Sequence, residues 1–169
     1  MKALVAFFSK TGTTEEIARE LKKALDAKGI VSDIRDAASM GTLEGYDRVI
    51  FGFPINGMRP IPEAAAFIAA HSDALRQRKT EVFAVSYMHG RCRPMWNGMI
   101  EKNVAAAAVK AGGVDALSNR AIFSGRVKSA LPGLFQLIFG VPKDTPLDVR
   151  DWDAIRAWGE ARAKDLASK

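Results

Sequence analysis

Residues 1–28 read MKALVAFFSKTGTTEEIARELKKALDAK, and this stretch decides the fold. Ala3–Phe8 is a short unbroken apolar run, as expected of a strand buried on both faces. From Thr13 to about Lys28 the period changes. Ile17, Leu21 and Leu25 recur every fourth residue, which is the mark of a helix with one buried stripe. Thr13-x-x-Glu16 has the form of a capping box, and Gly29 closes the segment. The chain therefore opens with a strand that feeds a helix through one tight turn.

The same alternation continues outward from that unit. Val31–Arg35 reads as a second strand and Asp47–Gly52 as a third. Pro62–Leu75 is an Ala-rich helix, and Glu81–Met88 a fourth strand. A helix is expected from Trp96 to about Ala111, ended by Gly112-Gly113. Asn119–Ser124 is a fifth strand, and Trp152–Leu166 a last helix capped by Asp151. Strands alternating with helices imply an α/β fold, a five-stranded parallel sheet wound on both faces. No repeat and no linker rich in Pro, Gly or Ser divides the chain, so residues 1–169 are expected to form one domain. Only 125–149 breaks the rhythm. Its apolar block Leu131–Val141 is interrupted by Pro132, Gly133 and Gly140. Leu134, Leu137 and Ile138 share one helical face, which suits core packing or a surface-seeking wedge beside Arg126 and Lys128.

Composition narrows the function classes. The chain has 169 residues, 48% of them hydrophobic and 26% charged, enough for one sizeable core. One cysteine cannot form an internal disulfide, and one Cys with two His is a poor basis for a structural zinc site. No apolar stretch is long enough to span a bilayer, and the N-terminus lacks the form of a signal peptide. A reducing cytoplasm is the expected location. The net charge is +6, and residues 76–128 carry it, with ten Lys/Arg against Glu81, Glu101 and Asp115. That excess suits a solvated basic face, an anionic surface or an acidic small molecule. No RNA-binding signature or recognition helix accompanies it, so nucleic acid is not an expected partner. Cys92, between Arg91 and Arg93, reads as an incidental thiol unless those cations lower its pKa.

The richest chemistry lies in the first turn. Ser9-Lys10-Thr11-Gly12-Thr13-Thr14 places four hydroxyls within six residues at the start of a helix. Free N–H groups and the helix dipole favour an anion there, and Gly12 allows close backbone approach. A phosphate monoester fits this loop. It is neither a Walker A motif nor G-x-G-x-x-G. The first strand ends in Phe7-Phe8-Ser9, without the acid cluster of a magnesium-binding receiver domain. Two further strand ends complete the candidate site. Pro54-Ile55-Asn56-Gly57-Met58 follows the third strand, and Ser86-Tyr87-Met88-His89-Gly90 the fourth. Both offer apolar surface, amides and a few polar groups, as a planar aromatic ligand needs. His89 and Tyr87 are the acid–base candidates. Arg59, Arg91 and Arg93 lie in or beside these loops and give the site a basic rim.

These three loops resemble the FMN-contacting loops of flavodoxin-like proteins. The resemblance covers nearly the whole chain and implies strand order 2-1-3-4-5. Within that superfamily the chain is similar to the quinone-dependent, flavodoxin-type protoporphyrinogen IX dehydrogenases. The telling residues are Gly125-Arg126, the apolar insertion after them, and Asp151-Trp152 at the final helix. The resemblance implies FMN as cofactor, a porphyrinogen as hydrogen donor and a quinone as acceptor, with peripheral contact at the cytoplasmic membrane. A flavodoxin-type electron carrier without its own substrate is the alternative it leaves open. The oligomeric state is not readable.

Overall fold

The structure, a computed structural model, describes residues 1–168. Lys169, the last residue of the expected domain, lies outside them. Its strands are β1 (Lys2–Phe7), β2 (Val31–Asp36), β3 (Arg48–Asn56), β4 (Arg59–Pro60), β5 (Glu81–Ser86) and β6 (Ala121–Ser124). Its helices are α1 (Thr13–Ala27), α2 (Pro62–Ala70), α3 (Ser72–Gln77), α4 (Pro94–Asn119), α5 (Gly133–Phe139) and α6 (Trp152–Ala167). Five strands pair in parallel in the order β2-β1-β3-β5-β6. Leaving aside the two-residue β4, this is the 2-1-3-4-5 order of a flavodoxin-like sheet.

Alternation along the strands builds two cores. Ala3, Val5 and Phe7 of β1 face α1 and α6 together with Ile50, Phe83, Val85 and Phe123. Leu4 and Ala6, with Phe8 just past the strand, face the other side, where Phe51, Phe53, Val82 and Ala84 meet α2 and α4. A period of two on a sheet covered on both faces explains the continuous apolar runs. Phe51, Phe53 and Phe83 are fully buried. Gly52 is required by this packing, because a Cβ there would sit 2.0 Å from Cζ of Phe83.

Register positions the site. Phe7 pairs with Gly52, Pro54 with Val85, and Ser86 with Ser124, so β1, β3, β5 and β6 end at one edge. The sheet order reverses between β1 and β3, which is where parallel α/β sheets open a ligand crevice.

Several element boundaries differ from the sequence expectation. β3 runs on through Pro54–Asn56, because Ile55 and Asn56 pair with Pro60 and Arg59 in an antiparallel hairpin. The helix expected over Pro62–Leu75 breaks at His71, whose Nδ1 and backbone N–H both reach the Phe67 carbonyl. α4 begins at Pro94 and does not end at the glycine pair. It kinks at Gly113 (φ +72°) and resumes to Asn119. Gly112 lets that kink lie on the sheet edge, since a Cβ there would meet the Thr80 carbonyl at 1.9 Å. The capping box does not form. The cap is Gly12, with no side-chain bond, and Glu16 faces arginines instead. Asp151 does cap α6, accepting from the Ala154 N–H at 2.9 Å.

The insertion folds as α5, and its apolar face is not core. Leu134 is 71% exposed and Leu137 69%, with Phe135 and Ile138 also exposed; only Val141 beyond the helix is buried. The backbone is nevertheless fixed. The last carbonyls of a helix lack intrahelical partners, and here each is bonded. Gln136 O accepts from the Gly140 and Val141 N–H groups, Leu137 O from Arg93 Nη2 (3.0 Å), Ile138 O from Trp96 Nε1 (3.4 Å), and Phe139 O from the Arg93 N–H (2.8 Å). Trp96 also packs on Phe139 with ring centroids 5.1 Å apart. Other arginines of the basic segment act alike. Arg78 donates to the carbonyls of Leu43 and Ala74, Arg76 to those of Val109 and Lys110, and Arg120 to that of Leu117.

Candidate functional site

The turn after β1 presents donors. Gly12 adopts φ +85°, and its N–H donates to Ser9 Oγ at 3.1 Å, folding the loop back on itself. A Cβ at Gly12 would meet nothing closer than Glu16 Oε1 at 3.9 Å, so the inside of the loop is open. The first helical bond of α1 is Glu16 N–H to Gly12 O. Among the described residues the N–H groups of Thr13, Thr14 and Glu15 have no acceptor. The Thr11 and Thr13 hydroxyls lie 3.3 Å apart, and that of Thr14 has no partner among the described residues. Thr13 and Thr14 are buried polar residues next to those free donors. Such a set is matched to an anion of phosphate size. The Lys10 ammonium pairs with Glu63 at the start of α2 (3.1 Å).

The second loop is a two-residue hairpin. Gly57 (φ +56°) and Met58 (φ +64°) both have the left-handed backbone such a turn needs. Met58 is buried, and its carbonyl accepts from Asn103 Nδ2 at 2.9 Å. The Pro54 carbonyl accepts the Ile61 N–H at 3.2 Å. Pro54 and Ile55 are half-buried, and Asn56 and Gly57 form the exposed tip.

The third loop is held from α4. Ser86 Oγ accepts the His89 N–H (3.3 Å), the Met88 carbonyl accepts the N–H groups of Arg91 and Cys92, and Asn97 Oδ1 accepts the Gly90 N–H (2.9 Å). His89 Nε2 lies 3.3 Å from Glu101 Oε1. Glu101 and Asn97 were not anticipated from sequence. The signal was available, since they stand four residues apart on the helix that follows the loop, hence on one face. Tyr87 is committed to the insertion: its hydroxyl donates to the Pro146 carbonyl at 2.8 Å, and burial pushes its pKa up.

The arginines expected near the ring go elsewhere. Arg91 spans from the His89 carbonyl to Ser124 Oγ (2.9 Å) and the Val149 carbonyl, and Arg93 holds α5. Their sequence neighbours are ring loops, but their N–H groups are spent on backbone and hydroxyl acceptors. Arg59 lines a cleft with Asn103 and Lys110 on the α2–α4 side. Cys92 is buried, and burial pushes its thiol up; Asn97 Oδ1 accepts from Sγ at 3.3 Å. It is not an activated thiol. Among the described residues no helix is long and apolar enough to cross a membrane.

Comparison with known proteins agrees with this geometry. A family model described as a flavodoxin domain matches residues 4–126, which takes in all three loops and stops at the root of the insertion. The fold is similar to oxidised flavodoxin 1 from Bacillus cereus, with TM-score 0.61 at 18% identity over 98% of each chain. It is also similar to the rubredoxin oxygen:oxidoreductase from Desulfovibrio gigas, with TM-score 0.62 at 14% identity. This chain is 99% covered in that match but spans only 36% of the larger protein. A third match is an archaeal flavodoxin, with TM-score 0.60, 14% identity, and 98% and 99% of the two chains covered. The open loop of unpaired donors at the start of α1, facing two further loops at the same sheet edge, fits a phosphate-bearing flavin. The chain belongs to the flavodoxin domain family, and its cofactor is FMN.

Proposed function

We propose that the chain is an FMN-dependent oxidoreductase that passes electrons from a reduced organic donor to a quinone at a membrane surface, with a porphyrinogen as the donor. The observation that carries this reading is α5. Its apolar side chains stand in solvent while its carbonyls are tied to Arg93 and Trp96. A helix held rigid with Leu134, Phe135, Leu137 and Ile138 outward suits a lipid-soluble acceptor, and Arg93 and Lys143 border it with charge for anionic headgroups.

FMN, when bound, supplies a ring that takes up and releases electrons. The chain's own residues do the rest. Ser9–Thr14 bind the phosphate through N–H and hydroxyl donors. Pro54–Met58 and Ser86–Gly90 flank the ring and keep water from it. His89 Nε2 stands beside the Glu101 carboxylate as the acid–base group, and Tyr87 fixes the third loop to the insertion. A second reading, an electron carrier without its own substrate, draws on Arg93, whose guanidinium is turned to the Leu137 carbonyl of α5, and on Arg91, whose guanidinium is held by the His89 and Val149 carbonyls and Ser124 Oγ.

Anaerobic absorbance titration of the FMN-loaded protein separates the two. Protoporphyrinogen IX bleaches the flavin bands and a menaquinone analogue restores them if the dehydrogenase reading holds. A bound flavin indifferent to the porphyrinogen leaves the carrier. Flotation with anionic phospholipid vesicles tests the membrane part; a Leu134→Asp, Leu137→Asp variant that floats as well as the parent removes it.

A further inference from the structure

A cluster of four charged residues lies beside the phosphate loop and outside the matched flavodoxin loops. Glu16 stands one helical turn past Gly12, and its Oε1 is 3.9 Å from the position of a Gly12 Cβ. A carboxylate so placed repels a phosphate dianion entering the loop. Two guanidiniums reach it. Arg126, the second residue past β6, donates from Nη2 to Oε1 at 2.8 Å, and Arg150 bonds Oε2.

The two arginines are not equivalent. Arg150 is 6% exposed, also binds Asp148, and lies over the Trp152 ring at 4.6 Å. It is fixed by two carboxylates and an aromatic face. Arg126 is 39% exposed, and Glu16 is its one side-chain partner among the described residues. Its backbone is fixed where the insertion begins, with the Val127 N–H on Leu147 O and the Val149 N–H on Gly125 O. The side chain can therefore turn while the backbone stays. Glu16 would keep Arg150 as partner, so no carboxylate is left unpaired.

We propose that Arg126 is the charged member of the phosphate site, resting on Glu16 and turning to a phosphomonoester dianion held by the Ser9–Thr14 loop. The inference rests on the assignment of that loop to the flavin phosphate. It distinguishes a guanidinium-assisted site from one made of neutral donors alone. Charge-assisted bonds from arginine to phosphate are the stronger class. Arg150 is then a positioning residue that holds Glu16 in place through the exchange.

The test compares FMN with riboflavin, which lacks the phosphate, by quenching of flavin fluorescence at several KCl concentrations. Arg126→Gln weakens FMN binding about tenfold and leaves riboflavin unchanged. It also flattens the salt dependence of FMN binding. Glu16→Gln moves the other way, tightening FMN, because the competing carboxylate is gone. Inorganic phosphate displaces FMN from the parent more readily than from Arg126→Gln, whereas a site that reads the whole cofactor shows no such competition. Circular dichroism verifies folding; if Arg126→Gln does not fold, the sign of the Glu16→Gln effect decides. A FMN-to-riboflavin ratio unchanged in both variants overturns the role of Arg126 and leaves the phosphate loop standing. A parent that does not prefer FMN over riboflavin overturns the loop assignment and this inference with it.

Discussion

At Thr13–Glu15 the backbone N–H groups have no acceptor among the described residues, while the apolar side chains around them, Phe7, Phe8 and Ile17, are buried. At Gly133–Phe139 the last four carbonyls, Gln136 to Phe139, are bonded while Leu134, Phe135, Leu137 and Ile138 stand in solvent. The first arrangement reserves backbone polarity for a ligand and takes its stability from the core. The second leaves apolar surface exposed and takes its order from hydrogen bonds. A binding region needs one kind of unsatisfied group, and the opposite kind must be satisfied for the region to keep its shape. Glu16, Arg126, Asp148 and Arg150 join the two regions.

The contrast is sharpest in stability. Phe83→Ala, in the core under the loop, lowers the unfolding free energy by about 3–5 kcal/mol. Leu134→Ala with Leu137→Ala changes it by less than about 0.5 kcal/mol each, since both side chains are already exposed. Urea denaturation midpoints check both. A large loss from the α5 pair would mean that its apolar face is core after all. Next in size is cofactor affinity. Thr11→Ala with Thr14→Ala weakens FMN binding by about 2 kcal/mol or more, because hydrogen bonds to a charged group are removed. Riboflavin affinity stays unchanged, and an equal loss for both flavins would break the assignment.

Smaller still is the loosening of α5. Arg93→Ala removes the donor to Leu137 O, and hydrogen exchange over 133–139 speeds up while that of β5 does not. Protection retained at the parent level would show that Trp96 and the backbone N–H of residue 93 suffice to order the helix. The smallest effect is in acid. Arg150 holds the carboxyls of Glu16 and Asp148 below their ordinary values. A depressed folded-state pKa adds stability above the unfolded value, near 4, and that contribution is lost as pH falls through the folded value. Trp152 fluorescence, read through the Arg150 guanidinium stacked on it, therefore changes below about pH 4. A flat profile there would show that the junction does not depend on those carboxylates.

Much of this was legible in the residues. The change from the apolar run of Ala3–Phe8 to the four-residue spacing of Ile17, Leu21 and Leu25 marks the first βα unit, and parallel pairing follows from its repetition. The three loops were readable because strands of one parallel sheet end at one edge. What escaped depends on partners distant in sequence. Pro54–Asn56 is strand only because Arg59–Pro60 folds back on it. Glu16 looked like a capping residue, and only the fold brings Arg126 and Arg150 to it. Arg91 and Arg93 looked like ring contacts, and apart from the His89 carbonyl the acceptors of their guanidiniums lie 33 to 58 residues away. The shared face of Leu134, Leu137 and Ile138 was visible, but periodicity defines a face without saying what it meets.

The arginines that cap carbonyls have a consequence for encounter kinetics. A guanidinium bonded to a neutral carbonyl is anchored but not neutralised, so Arg76, Arg78, Arg91, Arg93 and Arg120 contribute their full charge to the net of +6. They are held in fixed positions by those bonds. The protein thus presents a permanent positive field that steers anionic partners before contact. Its reach shrinks from about 30 Å at 10 mM salt to about 8 Å at 150 mM. Association with an acidic partner will slow with added salt, while dissociation, which depends on contacts, will change far less.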